Sequence, residues 1–331
     1  MELEDVAAPR EPGPGTVIVR PQAVGICGSD FHFFLGEFGD GSEFPRIQGH
    51  EVAGVVEAVG PDCVRDLRSG DSVALHPLTA CGHCYPCRIG RGNACDNLSL
   101  IGIHTDGGLQ ELLSMPESLV FATSERRPAV ATLAEPLSIA VRTMTRAGIV
   151  PGEHVTIFGA GPIGQAVGLL AAEQGGSVLM VDPVASRLAL GQDLGAETLP
   201  WTTPSEVIDL VREWSGGEGP EVVVDATGQP DAIRAGMESA ASAGRVLMVG
   251  FSHHDVSLRV FGFVDKELDV LGVSCCQGDE FAEAVAFVER HSTRVERLIS
   301  RQFPLSRSAE ALQWAMEHPA DAMKVVIGEI N

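Results

Sequence analysis

The sequence predicts a two-part α/β protein, with a compact, barrel-like β domain in the first half and a doubly wound parallel sheet in the second. Three observations carry this expectation. Short β-branched runs separated by Gly and Pro fill residues 12–75, the spacing of a small β-rich domain. From Ser138 onward, strand-like and helix-like stretches alternate, as they do in a parallel sheet covered by helices. Between the first strand and helix of that half lies Gly159-Ala160-Gly161-Pro162-Ile163-Gly164. A chain of 331 residues accommodates two domains of ordinary size. The expected division is residues 1–138 with 275–331, and residues 139–274.

In the first half, Thr16-Val17-Ile18-Val19-Arg20 is a strand by its β-branched content, set off by the Pro12-Gly13-Pro14-Gly15 turn. Residues 52–59 make another, closed by Gly60-Pro61, and Gly70-Asp71 turns the chain into a third at 72–75. Four cysteines then follow as C-x2-C-x2-C-x7-C: Cys81, Cys84, Cys87 and Cys95. Thiolates so spaced can wrap one ion in a closed tetrahedron, which makes a structural zinc site. An iron–sulfur cluster is the rival occupant. His83 lies inside the knuckle, but four cysteines already fill the shell.

A second metal signal is dispersed along the chain. Cys27 sits in Gly25-Ile26-Cys27-Gly28-Ser29-Asp30-Phe31-His32, His50 and Glu51 in Gly49-His50-Glu51, and Glu135 in Ala134-Glu135-Pro136-Leu137. Thiolate, imidazole and carboxylate can hold zinc with one position open for water or substrate. Singly, none of the four makes a site, since a buried Cys is usually a small apolar residue.

In the second half, residues 153–158 form the strand ahead of the glycine turn, 165–174 an amphipathic helix, and 177–181 the next strand, ending at Asp182. In that setting Gly159, Gly161 and Gly164, with Pro162 and Ile163, let a pyrophosphate approach the backbone at a helix N-terminus. Asp182, 18 residues past Gly164, can accept hydrogen bonds from both adenosine ribose hydroxyls. Its charge disfavours a 2′-phosphate, so NAD is expected over NADP, although Arg187 beside the ribose can serve either. Further strands are expected at 221–226, 245–250 and 267–272, with a helix at 231–241. After about residue 275 the chain returns to the first domain, with helices at 280–289 and 308–317 and strands at 299–303 and 323–327.

The formal net charge of −22 argues against nucleic acid or an anionic membrane as partner. The first residues are acidic without the apolar core of a signal peptide, and no apolar run has the length of a membrane span. The cysteines cluster instead of spreading as a disulfide framework, which points to metal and to a cytoplasmic location.

Gly-Ile-Cys-Gly-Ser-Asp-x-His at 25–32, Gly-His-Glu at 49–51, the cysteine lobe at 81–95, Ala-Glu-Pro-Leu at 134–137 and the glycine turn at 159–164 together resemble the zinc-dependent medium-chain dehydrogenases over nearly the whole chain. The resemblance implies a GroES-like catalytic domain carrying the zinc lobe and a Rossmann NAD-binding domain. The alcohol dehydrogenases proper use a second Cys as third ligand where this chain has Glu135. With His50-Glu51, that exchange resembles the sorbitol and threonine dehydrogenase branch. The lobe and the Gly-Ile-His-Thr-Asp-Gly-Gly loop at 102–108 resemble bacterial sugar-acid members such as L-gulonate and L-galactonate 5-dehydrogenases. By the same resemblance Cys27 and His50 bind the catalytic zinc. Glu51 and Glu135 share the rest, one directly and the other through water or on ligand exchange. Asp30 would hydrogen-bond His50, Ser29 would pass the hydroxyl proton outward, and His32 would take it towards solvent. Family members usually begin with an extra strand or hairpin before the Pro-Gly turn, so a weaker edge to the first domain is expected here.

The implied activity is oxidation of a secondary alcohol on a polyol or sugar acid by NAD, with zinc as Lewis acid. Arg46 is the cation available to a sugar-acid carboxylate. An L-threonine-type or cyclitol substrate is the alternative among enzymes, and a non-catalytic NAD-binding regulatory protein the alternative outside them. Two zinc ions per chain are expected, as is a homo-oligomer, dimer or tetramer, formed through the edge strand around Val270.

Overall fold

A computed structural model describes residues 2–37, 44–252 and 254–328. The chain divides into two compact units, Met1–Ser138 with Cys276–Asn331, and Ile139–Cys275. The first unit opens with β1 (Thr16–Ile26), α1 (Gly28–Phe34), β2 (Glu51–Val59), β3 (Ser72–Leu75), β4 (Leu78–Thr79), α2 (Tyr85–Arg88), β5 (Ser99–Leu100), β6 (Leu113–Pro116), β7 (Val120–Ala122) and α3 (Pro128–Ala131). The strand expected to stop at Arg20 runs on to Ile26. Its register against β2 shifts between Pro21 and Ala23, and such a bulge tolerates a proline that lacks its N–H.

After α4 (Ala134–Ala147) come β8 (His154–Phe158), α5 (Pro162–Glu173), β9 (Ser177–Asp182), α6 (Ala185–Asp193), β10 (Glu197–Pro200), α7 (Pro204–Trp214), β11 (Val222–Asp225), α8 (Pro230–Ser239), β12 (Arg245–Met248), α9 (Val260–Lys266) and β13 (Asp269–Gly272). The strands lie parallel in the order β10-β9-β8-β11-β12-β13. Val155, Ile157, Val222, Val223, Val224 and Leu247 are fully buried, as expected for central strands with helices on both faces. The strand order reverses at β8, with β9 on one side and β11 on the other. The crevice past the C-terminal ends of such strands is where doubly wound sheets take ligands.

The chain then supplies α10 (Gly278–Val295), β14 (Ile299–Pro304), α11 (Ser308–Glu317) and β15 (Lys324–Gly328) to the first unit. Its main sheet runs β14-β15-β1-β2-β3-β7, with β6 also on β1. β1 is the hub, over a core that includes Val17, Val19, Val24, Val52, Val73 and Leu75. Gly25 pairs with Glu51 on one side and Val326 on the other, and Ile26 pairs with Val325. Both neighbours are antiparallel to β1. The end of β1 and the starts of β2 and β15 therefore meet at one place, although Glu51 and Lys324 are 273 residues apart in sequence. No helix among the described residues is long and apolar enough to cross a membrane.

Candidate functional site

Cys27 leaves β1 and caps α1. Its backbone N–H donates to Asp30 Oδ2 at 2.8 Å, and the Asp30 N–H donates back to the Cys27 carbonyl at 3.1 Å. Asp30 Oδ1 stands 3.5 Å from His50 Nδ1. The contact becomes an ion pair when the imidazole is protonated, and neither atom has a hydrogen-bond partner among the described residues. The other ring nitrogen, Nε2, is 3.4 Å from Ser29 Oγ. Cys27, His50 and Glu51 each offer one ligand atom within 4.8 Å of the others. His50 and Glu51 are buried. Gly25 makes room, because a Cβ there would run into the Glu51 carboxylate.

No spacing pattern pointed to Lys324, a lone lysine at the head of an apolar strand. It is buried, and its Nζ donates to Glu51 Oε1 at 2.5 Å and to the Ile26 carbonyl at 3.1 Å. Glu51 Oε2 remains buried without a hydrogen-bond partner among the described residues. Burial works against the charge on Lys324, but Glu51 and then Cys27 outweigh it and raise its pKa. Burial likewise pushes His50 down, and Asp30 with Cys27 reverses this to hold it well above 6.5. Glu135, in the first turn of α4, is buried but lies outside the close trio. Burial lifts its carboxyl to about 7; His50 pulls it down and Glu51 pushes it further up. Thiolate, imidazole and carboxylate around orphaned buried atoms are a donor set that fits zinc.

His32 is on the same helix as Ser29. Its Nδ1 lies 2.7 Å from Glu37 Oε2, and the Glu37 N–H donates to the His32 carbonyl at 2.8 Å. Arg46, expected to be available to a carboxylate, is mostly buried instead. It reaches Asp106 at 3.5 Å, and Asp106 also accepts from the Ile47 N–H at 3.1 Å. It thus ties the segment before His50 to the 102–108 loop. His104 on that loop serves the turn, its Nδ1 accepting from the Leu100 N–H at 3.1 Å.

Cys81, Cys84, Cys87 and Cys95 converge with all sulfurs within 4.8 Å of one another and no disulfide. Zinc–sulfur bonds of about 2.3 Å imply tetrahedral edges of about 3.8 Å. Cys84 lies 3.7 Å from Cys95 and 3.3 Å from Cys87, so the sulfurs already stand near such a spacing. Backbone N–H groups of His83 and Cys84 draw the Cys81 thiol down to about 6. The His83 ring turns away, with Nδ1 2.9 Å from the Cys81 carbonyl.

In the second unit, α5 starts at Pro162 after the glycine turn. Gly164 is obligatory there, because a Cβ would collide with the Gly159 carbonyl. Asp182 ends β9. Its Oδ2 accepts from the Ala160 N–H and its Oδ1 from the Val184 N–H, each at 2.8 Å. The carboxylate expected to meet ribose thus also braces the glycine turn, and each oxygen keeps a lone pair for a ligand hydroxyl. Arg187 Nη1 lies 3.9 Å from Asp182 Oδ2. Two residues here carried no motif signal. Gln165 Nε2 donates to the carbonyls of Ala160 and Arg187. Asp225, at the end of β11, accepts from Thr227 Oγ1 at 2.5 Å and the Gly228 N–H at 3.0 Å.

Residues 13–125 match the family model described as the alcohol dehydrogenase GroES-like domain, and residues 162–290 that described as zinc-binding dehydrogenase. The L-galactonate-5-dehydrogenase of Escherichia coli K12 is 31% identical, over 96% of this chain and 92% of its own. A protein of Sinorhizobium meliloti 1021, assigned to the zinc-binding dehydrogenases and solved with NADP, has a TM-score of 0.88 at 30% identity, covering 98% of this chain and 94% of the other. The alcohol dehydrogenase rspB of Escherichia coli CFT073, solved with NADH, has a TM-score of 0.86 at 28% identity, covering 96% and 93%. Matched in both halves and along nearly its full length, the chain belongs to the zinc-type medium-chain dehydrogenase family and is an enzyme of the alcohol dehydrogenase type.

Proposed function

We propose that this enzyme oxidises a secondary alcohol of a polyol or sugar acid with NAD. Cys27, His50 and the carboxylates Glu51 and Glu135 would hold one zinc, and the four-cysteine lobe a second. The observation that carries this is the buried trio of Cys27, His50 and Glu51 with ligand atoms within 4.8 Å. Zinc, when bound, supplies a Lewis acid for the substrate hydroxyl, and NAD supplies the hydride acceptor. Asp30 orients the His50 ring. Lys324 occupies one Glu51 oxygen and offsets its charge. Ser29 Oγ, 3.4 Å from His50 Nε2, would take the hydroxyl proton, and His32, beside Glu37, would pass it to water. The glycine turn receives the pyrophosphate and Asp182 the ribose.

The E. coli relative named for L-galactonate favours a sugar acid, whereas the engagement of Arg46 with Asp106 favours a neutral polyol. NADH formation at 340 nm with sugar acids, hexitols, inositols and L-threonine, each with NAD and NADP, decides. The highest kcat/KM is expected for a polyol or sugar acid with NAD. Preference for L-threonine, or for NADP, overturns this assignment. The edge strand β13, with exposed Val270 and with Val260, Phe261 and Val264 exposed on α9, supports self-association. A monomer by light scattering would contradict it.

A further inference from the structure

We propose that Gln165 is a positioning residue for the adenosine half of the coenzyme, an inference that rests on reading the glycine turn as the coenzyme site. Gln165 follows Gly164 in the first turn of α5 and is fully buried. Its Nε2 donates to the Ala160 carbonyl at 3.1 Å and to the Arg187 carbonyl at 2.8 Å. The first carbonyl belongs to the glycine turn, and the second lies on α6, at the base of the side chain that reaches towards Asp182. One amide therefore clamps together the pyrophosphate segment and the ribose-facing segment. The reversed amide would set an oxygen against two carbonyl oxygens, so the network fixes its orientation.

Packing alone does not call for this side chain. Leucine or methionine would fill the same volume without a polar group to satisfy. Gln165 instead keeps Oε1 buried without a hydrogen-bond partner among the described residues. With no exposure of its own, Gln165 acts on a ligand through Arg187 and the turn.

The test uses the full-length, zinc-loaded enzyme and its Gln165→Met variant. ADP-ribose and nicotinamide mononucleotide are titrated calorimetrically, and KM for NAD is measured. Releasing the glycine turn from the Arg187 segment should raise the ADP-ribose Kd and the NAD KM about tenfold. Mononucleotide affinity, kcat at saturating NAD and KM for the alcohol should stay within about twofold. Gln165→Asn, one methylene shorter, should show a smaller rise in the same direction, and it decides the matter if the methionine variant does not fold. ADP-ribose affinity unchanged in the variants, or kcat and mononucleotide binding falling in parallel with it, overturns the role of Gln165. Wild-type enzyme that binds neither ADP-ribose nor NAD sinks the coenzyme assignment itself, and this proposal with it.

Discussion

The two metal-ligand clusters differ in how the chain builds them. The four-cysteine lobe comes from one stretch of 15 residues and is half-exposed, with the charged neighbours Arg88 and Arg91 on that same stretch and Asp96 directly after it. The Cys27 site is assembled from the end of β1, the starts of β2 and β15, and the first turn of α1. It buries Asp30, His50, Glu51, Glu135 and Lys324 together. A closed shell of like ligands needs only local spacing. A mixed shell, which leaves room for a reactant, needs charged neighbours to hold its members and balance them.

Exchanging one thiolate in each cluster is the strongest way to break that contrast. Cys27→Ser should lower kcat/KM about a thousandfold, the loss of several kcal/mol of Lewis-acid stabilisation. Cys84→Ser should instead remove about one zinc per chain and lower the melting temperature, with catalysis retained at temperatures where the variant stays folded. Similar losses of kcat/KM in both variants would erase the distinction.

Lys324 tests the charge balance. Lys324→Met leaves Glu51 buried without its cation, which should cost about 3–5 kcal/mol in the metal-free protein. Zinc should restore part of this, because it supplies the missing positive charge. A variant that melts within a degree of wild type without metal would show that Glu51 needs no such partner.

These residues also show what could be read in advance. Cys81, Cys84, Cys87 and Cys95 announce themselves by spacing. The glycine turn does so because strand, helix and acidic strand end flank it, and the two-part α/β architecture follows from the same alternation. Lys324 was silent, because its partner is brought to it by the antiparallel register of β15 on β1, and strand pairing across the whole chain is not written in local pattern. Gln165 and Glu37 were silent for a related reason, each being an ordinary helix or loop residue until a neighbour's position is known. The charge on Arg46 was visible, but not its commitment to Asp106, which lies 60 residues away.

Two histidines buried among the described residues sharpen the contrast at smaller scale. His50 has Asp30, whereas His76 at the end of β3 packs on Phe121 and Phe281, with ring centroids 6.4 and 5.2 Å away. Burial lowers the His76 pKa from 6.5 to about 4. The unfolded chain therefore binds this proton below pH 6.5 and the folded one only near pH 4. The stability concerned is fully present above pH 6.5 and is lost as pH falls towards 4, by up to about 3 kcal/mol. His76→Phe should flatten that acid limb in denaturant titrations at pH 4–7, and an unchanged limb would contradict the assignment.

The most direct test of the central claim is the zinc content of the full chain combined with its zinc-edge X-ray absorption. A mixed site beside a four-thiolate lobe predicts about two zinc ions per chain and an average of about 2.5 sulfur ligands per zinc, the remainder nitrogen and oxygen. Cys27→Ser should move that average towards four as the mixed site empties. One zinc per chain with four sulfurs in the wild-type protein would show that the Cys27, His50 and Glu51 cluster holds no metal.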